Sequence, residues 1–128
     1  MSNTTAADIR KAAFNSTVPS ETVHIDEWDA DVEVRGMTSG AAIDFYAAAT
    51  KQERGETVLD QRKWGPSLLI ACLFDAEGNP VFETASVEMI AAMPSQVVVR
   101  LAAIAAKLSG LGNKTDDKDV VEGFGDGL

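Results

Sequence analysis

Residue types that commonly carry enzyme chemistry are scarce in this sequence, which contains one cysteine and one histidine. An internal disulfide is therefore excluded, and a zinc site of the usual Cys and His composition cannot be built. His24 and Cys72 would form a catalytic dyad only if two predicted strand positions met beside a cleft. Since no nucleophile, base and orienting group occur together, we predict no catalytic residues, no metal site, no cofactor and no enzymatic activity.

The sequence also has no long apolar segment and few positively charged residues. No stretch approaches the roughly 20 apolar residues of a membrane span, and the N-terminus lacks the apolar core of a signal peptide. The chain has 11 Lys and Arg against 20 Asp and Glu, a net charge of -9, which repels phosphate backbones and anionic lipids. We therefore expect a soluble cytoplasmic protein that binds neither nucleic acid nor membrane.

The acidic residues are concentrated near the N-terminal third and at the C-terminus. Residues 21–36 hold six acids against Arg35 alone, a local charge of -5. A divalent-ion site around Trp28 is one interpretation, but the acids have no other group to organise them. We therefore favour a solvated, charged turn.

The length and the 45% hydrophobic content predict one domain of the α+β class. In the first half, the patterns predict a loosely docked helix over 4–15, a linker to residue 20, and a β-hairpin from strands at 22–26 and 31–35. A central helix is predicted from Thr38 or Ser39 to Arg54, with Gly55 ending it. Residues 56–66 look like a polar connection that ends at Pro66.

The second half begins with the apolar run 68–74, which periodicity alone assigns to neither a strand nor a short helix. We favour a strand, because residues 75–80 resemble a turn after which Val81 and Phe82 can pair back. Two C-terminal helices follow, one from Thr84 or Ser86 to Met93, the other capped by Ser95 and ended by Gly110. The predicted units are 1–20, a globular domain over 21–111, and a flexible acidic tail over 112–128.

The last helix is apolar on more than one side. Its inward stripe is predicted to consist of Val98, Leu101, Ala102, Ala105 and Leu108. A second face carries four more apolar residues, which we predict to be exposed and to bind a partner: Val97, Val99, Ala103 and Ile104. A homodimer interface is the alternative use of this face, and the two uses are compatible. The tail holds an apolar segment that we predict to be a secondary docking site, formed by Val120, Val121 and Phe124.

Four features in a fixed order carry a family resemblance. They are a strand leading from Val32 to Thr38 into a helix, the apolar run and turn over 68–82, Met93-Pro94-Ser95 opening the last helix, and its exit over 108–111. This order resembles the tail assembly chaperones of long-tailed phages and of prophages. Gly40-Ala41-Ala42 is poorer in charge than the start of that helix usually is in the family.

The resemblance implies a chaperone in the host cytoplasm that binds the tape measure protein, keeps it soluble while the tail tube assembles, and is absent from the mature virion. It further implies that the tail tube protein is recruited by a longer, frameshifted product. The alternative is a structural protein retained in the virion, such as a minor tail or head–tail connector component.

Overall fold

The computed structural model of the protein describes residues 4–83 and 86–111. Helices and antiparallel strands alternate along these residues, which confirms the predicted α+β class. The helices are α1 (Ala6–Phe14), α2 (Ser39–Ala49), α3 (Gln61–Cys72), α4 (Val87–Ala91) and α5 (Ser95–Leu108). The strands are β1 (Ser20–Ile25), β2 (Ala30–Arg35), β3 (Thr50–Glu53), β4 (Glu56–Leu59) and β5 (Leu73–Phe74). No helix formed by the described residues combines the length and the apolar character that crossing a membrane requires.

The predicted hairpin forms the larger sheet, whose strand order is β1-β2-β5. Val23 lies opposite Val32, and Ile25 lies opposite Ala30. The strands are joined by a single 3-10 turn over Asp26–Trp28, after which Asp29 adopts a left-handed conformation with φ 48°. Val32 and Val34 are buried, as the period-two pattern predicts for the core face of a half-buried strand.

The helix α2 begins as predicted and ends earlier than predicted. The Thr38 side chain caps it by accepting a hydrogen bond from the backbone N–H of Ala41 at 3.1 Å. The predicted continuation to Arg54 is wrong, because the chain leaves the helix at Thr50 and forms the hairpin β3–β4. Arg54 and Gly55 both have positive φ, 56° and 82°, which is the backbone that a two-residue hairpin turn requires.

The apolar run after residue 66 is helical, so the favoured strand over 68–74 is wrong except at its last two residues. Asp60 caps α3 by accepting from the backbone N–H of Arg62 at 3.2 Å. The helix continues through Pro66, which therefore does not mark a boundary as predicted. A helix packed against α2, α4 and α5 is apolar on most sides, and its sequence then looks like that of a buried strand.

The predicted turn after β5 is confirmed. The Asp75 side chain accepts hydrogen bonds from the backbone N–H groups of Glu77 and Asn79, at 2.8 and 2.9 Å. The hydrogen bond from Asn79 is the largest of several that lower the pKa of the Asp75 carboxyl. The return pairing is short, since the Val81 N–H donates to the Leu73 carbonyl at 3.0 Å and Pro80 forms a single bridge with Phe74.

Both C-terminal helices are present, with small differences at their starts. Ser95 is the first helical residue of α5, and Pro94 occupies the N-cap position predicted for Ser95. Ser86 makes no side-chain cap to α4; its hydroxyl accepts from the Glu83 N–H instead. At the end of α5, Gly110 has φ 78° and the Leu111 N–H donates to the Ala106 carbonyl at 2.8 Å, as predicted for this exit.

The core lies between the inner face of the larger sheet and the helices α2, α3, α4 and α5. Its largest fully buried side chains are Ile25, Leu68, Leu69, Leu73, Ile90, Leu101, Val34, Val97 and Cys72. The predicted helix over 4–15 is present as α1, and none of its residues is buried. The predicted tail over 112–128, with Val120, Val121 and Phe124, lies outside the described residues, as does Thr84.

Candidate functional site

The structure separates the four residues predicted to form an exposed face on α5. Val97 is 2% exposed and belongs to the core, which corrects its predicted exposure. Ile104 is half-buried against the core, whereas Val99 is 54% exposed and Ala103 is exposed. The difference follows from helix geometry, since positions 97, 101 and 105 recur every four residues and form the buried stripe. Val99 and Ala103, also four apart, lie on the outer side.

Val99 lies at the edge of an apolar groove of about 230 Å³. We call this the α4–α5 groove; it is lined by Arg62, Pro66, Ile90, Ala91, Met93, Ser95, Val98 and Val99. Sequence reasoning identified Val99 from its exposed apolar position. It did not identify Arg62 and Pro66, because the interpretation of residues 56–66 as a polar connection leaves no helix at these positions.

Two features of α3 and α5 shape the groove. Gly65 lets α5 approach closely, since a Cβ at that position would lie 3.2 Å from the Val98 Cγ1. Pro66 removes one backbone hydrogen bond within α3 but is itself buried and presents an apolar ring to the groove. The result is a shallow apolar depression between helices.

Two methionines add apolar side chains on this part of the molecule, one in the groove and one exposed on α4. Met93 lines the groove, and Met89 on α4 is 73% exposed. Methionine side chains are unbranched and polarizable, so they adapt to partners of differing shape. This composition is typical of surfaces that bind apolar segments without strict sequence demands.

Ion pairs bring charge to the α3, α4 and α5 side of the molecule. The Arg62 guanidinium lies 2.7 Å from the Glu88 carboxylate, and this hydrogen bond lowers the pKa of Glu88 and raises that of Arg62. Arg100 on α5 lies 3.1 Å from Glu27 of the hairpin turn. The pKa of Glu27 is lowered first by its backbone hydrogen bond and then by Arg100. Charged side chains thus occur close to the apolar groove, as in protein interfaces with a polar rim.

A second groove of about 210 Å³ lies between α2 and α3. This α2–α3 groove is lined by Ala41, Asp44, Phe45, Ala48, Ser67, Ile70, Ala71 and Val87. The Ser67 hydroxyl is buried and has no hydrogen-bond partner among the described residues. Three of its lining residues are alanines, whose small side chains leave space between the helices, and sequence reasoning gave no signal for this groove.

The two residues with nucleophilic or basic potential lie apart. Cys72 is fully buried, and desolvation raises the pKa of its thiol to about 11, while a contact of 3.9 Å with the Ser109 hydroxyl opposes this shift. His24 lies on the exposed hairpin, with its Nδ1 2.7 Å from Asp31 and its Nε2 3.3 Å from Asp26. Within residues 4–83 and 86–111, no three His, Cys, Asp or Glu side chains are grouped so that they could hold a metal ion.

Comparison with known proteins gives a structural match and a family match. The fold is similar to the structure of the bacteriophage HK97 tail assembly chaperone, with a TM-score of 0.53 and 20% sequence identity, covering 78% of this chain and 96% of that one. A search of curated proteins finds no match. The model of the phage tail assembly chaperone family matches residues 5–122. Since this match spans nearly all of the 128 residues, the protein belongs to the phage tail assembly chaperone family.

Proposed function

We propose that this chaperone binds the tape measure protein in the host cytoplasm, keeps it soluble while the tail tube assembles around it, and is absent from the mature virion. The observation that carries the proposal is the α4–α5 groove, with Val99 exposed at its edge and Met89 exposed on α4. The mode of action is binding, without catalysis or a cofactor.

The groove suits a helical client with an apolar face. Helix-in-groove recognition places apolar side chains of one helix into a hydrophobic depression on another surface. Val99, Val98 and Met93 provide contacts for such side chains, and Arg62 provides a polar group beside them. The net charge of -9 would keep a complex with an apolar client soluble through repulsion between complexes.

Binding to the tail tube protein, directly or through a longer frameshifted product, is part of the same proposal. Val120, Val121 and Phe124 are proposed to be a secondary docking segment for a partner. The alternative use of the same surface is a homo-oligomer in which two copies pair through Val99 and Ala103, and this use is compatible with client binding.

The test is co-expression with the tape measure protein encoded in the same genome, followed by pull-down and a solubility assay. Val99→Asp should weaken client binding by about tenfold or more, because it removes apolar contact and places a charge in the interface. Ile43→Asp is the matched control, since Ile43 is 69% exposed on α2 and does not line the α4–α5 groove. Both variants should keep the wild-type melting temperature, since each changes an exposed residue.

Three results would contradict the proposal. Equal loss of binding in both variants would mean that the client does not bind at the α4–α5 groove. Failure of the wild type to bind or solubilise the client would mean that this chain, without the longer frameshifted product, does not act as a chaperone for it. Detection of the protein in purified virions by mass spectrometry would favour the structural tail or connector alternative. Sedimentation velocity on wild type and Val99→Asp would reveal self-association through the same surface.

A further inference from the structure

The strand β1 lies at an open edge of the larger sheet, and its register shows which backbone groups point outwards. The Gly36 N–H donates to the Pro19 carbonyl at 2.9 Å, next to the pair formed by Ser20 and Arg35. In an antiparallel ladder, pairs that are hydrogen-bonded to each other alternate with pairs that are not. Since Pro19 and Gly36 form a hydrogen-bonded pair, Glu21, Val23 and Ile25 also direct their backbone groups to β2. The N–H and C=O groups of Ser20, Thr22 and His24 therefore face away from the sheet.

The outward edge of β1 is uncovered in the described part of the chain. Ser20, Thr22 and His24 are all exposed, and their outward backbone groups make no hydrogen bond to another described residue. The six residues of β1 contain no proline and no lysine, the residues that commonly protect an edge strand from pairing. This edge thus presents several free donors and acceptors in the spacing of a β-ladder.

The charge around this edge determines which strand fits it. Glu27 is paired with Arg100, and Glu33 is paired with Arg35. The other acids of the hairpin have no Lys or Arg partner among the described residues: Glu21, Asp26, Asp29 and Asp31. Asp26 and Asp31 both contact His24, which lies on the edge strand itself. Pairing of two copies through β1 would bring these carboxylates together, whereas a strand carrying Lys or Arg would be attracted.

We propose that β1 accepts an extended, basic segment of a partner protein as an additional strand of the larger sheet, paired through the backbone groups of Ser20, Thr22 and His24. Backbone hydrogen bonds supply affinity in such strand addition, and side-chain charge supplies selectivity. The inference does not depend on the client proposal, because β1 shares no residue with the α4–α5 groove.

The test uses the full chain and a short synthetic peptide that alternates lysine with valine and threonine. Amide hydrogen exchange of Ser20, Thr22 and His24, followed by NMR, should slow by on the order of tenfold at saturating peptide. An otherwise equal peptide with glutamate in place of lysine should have no effect, and added salt should weaken the response. The basic peptide N-methylated at alternate residues should also fail, because it cannot donate to the edge.

Two variants of Thr22 provide a matched pair on the protein side. Thr22→Pro removes an outward N–H without removing a β1–β2 hydrogen bond, so it should abolish peptide binding and keep the folded structure. Thr22→Val retains the N–H and should bind as the wild type does. Val99→Asp should leave peptide binding unchanged, which separates this proposal from the client proposal.

The proposal is overturned if the basic peptide leaves the three amides unchanged at millimolar concentration, or if the N-methylated peptide binds equally well. It is also overturned if the three amides are already protected in the free protein by a dimer that Thr22→Pro dissociates, since the occupant is then a second copy.

Discussion

Substitution of Gly36 by alanine should destabilise the fold more than its small size suggests. Gly36 is buried where β2 ends, and a Cβ there would lie 2.3 Å from the Leu108 carbonyl oxygen at the end of α5. A weak C–H···O contact needs about 3.3 Å, so the two backbones would have to separate by about 1 Å. Leu108 presents backbone at this point, so no side-chain rotation relieves the clash.

The separation would disturb neighbouring contacts as well. The Gly36 N–H donates to Pro19, and the next N–H, from Met37, donates to the Ser109 hydroxyl at 3.0 Å. Overpacking of a core costs about 1–3 kcal/mol, and a clash with backbone belongs at the upper end. We expect Gly36→Ala to lower the free energy of unfolding by about 3 kcal/mol and the melting temperature by about 10 °C.

Urea denaturation and thermal melting measure this effect, and Gly40→Ala provides the control. Gly40 lies in the first turn of α2, and a Cβ added there would have no other atom within 4 Å, so alanine should stabilise the protein by about 0.5 kcal/mol. Equal stability of Gly36→Ala and the wild type would refute the close approach of β2 and α5.

Three further changes test the core. Leu101→Ala should cost about 2–5 kcal/mol in urea denaturation, since Leu101 is fully buried on α5; a loss below about 1 kcal/mol would contradict its central position. Ser67→Ala should raise the free energy of unfolding by about 1 kcal/mol, because it removes a buried hydroxyl that lacks a partner, and a loss of stability would mean that the hydroxyl is bonded. Burial raises the folded-state pKa of the Cys72 thiol from its ordinary value of 9.0 to about 11. The contribution of the buried thiol to the free energy of unfolding is therefore fully present below pH 9. It is lost as the pH rises through 11, by about 1.4 kcal/mol per pH unit. Cys72→Ala should lack this loss, and identical pH profiles of the two proteins would contradict it.

The sequence predicts elements well where one face is buried and the other is solvated. The alternation of Val32 and Val34 with Glu33 and Arg35 identifies β2, because a half-buried strand carries both kinds of residue. The exit of α5 is predicted from Gly110 because a left-handed residue there favours glycine.

The predictions are wrong for segments whose residues are nearly all buried or nearly all polar. The apolar run in α3 has no solvated face, so its period is hidden, and β3–β4 is so polar that it resembles a loop. Arg54-Gly55 was the one local signal for the hairpin, since glycine favours the positive φ of a tight turn.

The candidate site was only partly predictable, because an apolar helix such as α5 does not reveal which of its sides is covered. Val99 and Ala103 are exposed as predicted, but Val97 is in the core because α3 and β2 pack on that side of α5. The groove residues of α3 and α4 depend on contacts between distant segments, which a single sequence does not specify.

The helix α1 contributes nothing to the core, so it should unfold separately from the rest of the domain. The reciprocal hydrogen bonds between Thr5 and Asp8 cap α1, yet Phe14 is 81% exposed and no residue of the helix is buried. A helix of this length has little stability of its own, so its amides should exchange through local opening at a free energy near zero. The amides of Leu69 and Leu101, which are fully buried, should exchange only through global unfolding. A melting curve recorded from helical circular dichroism should therefore slope before the main transition, and the loss of α1 should leave that transition unmoved.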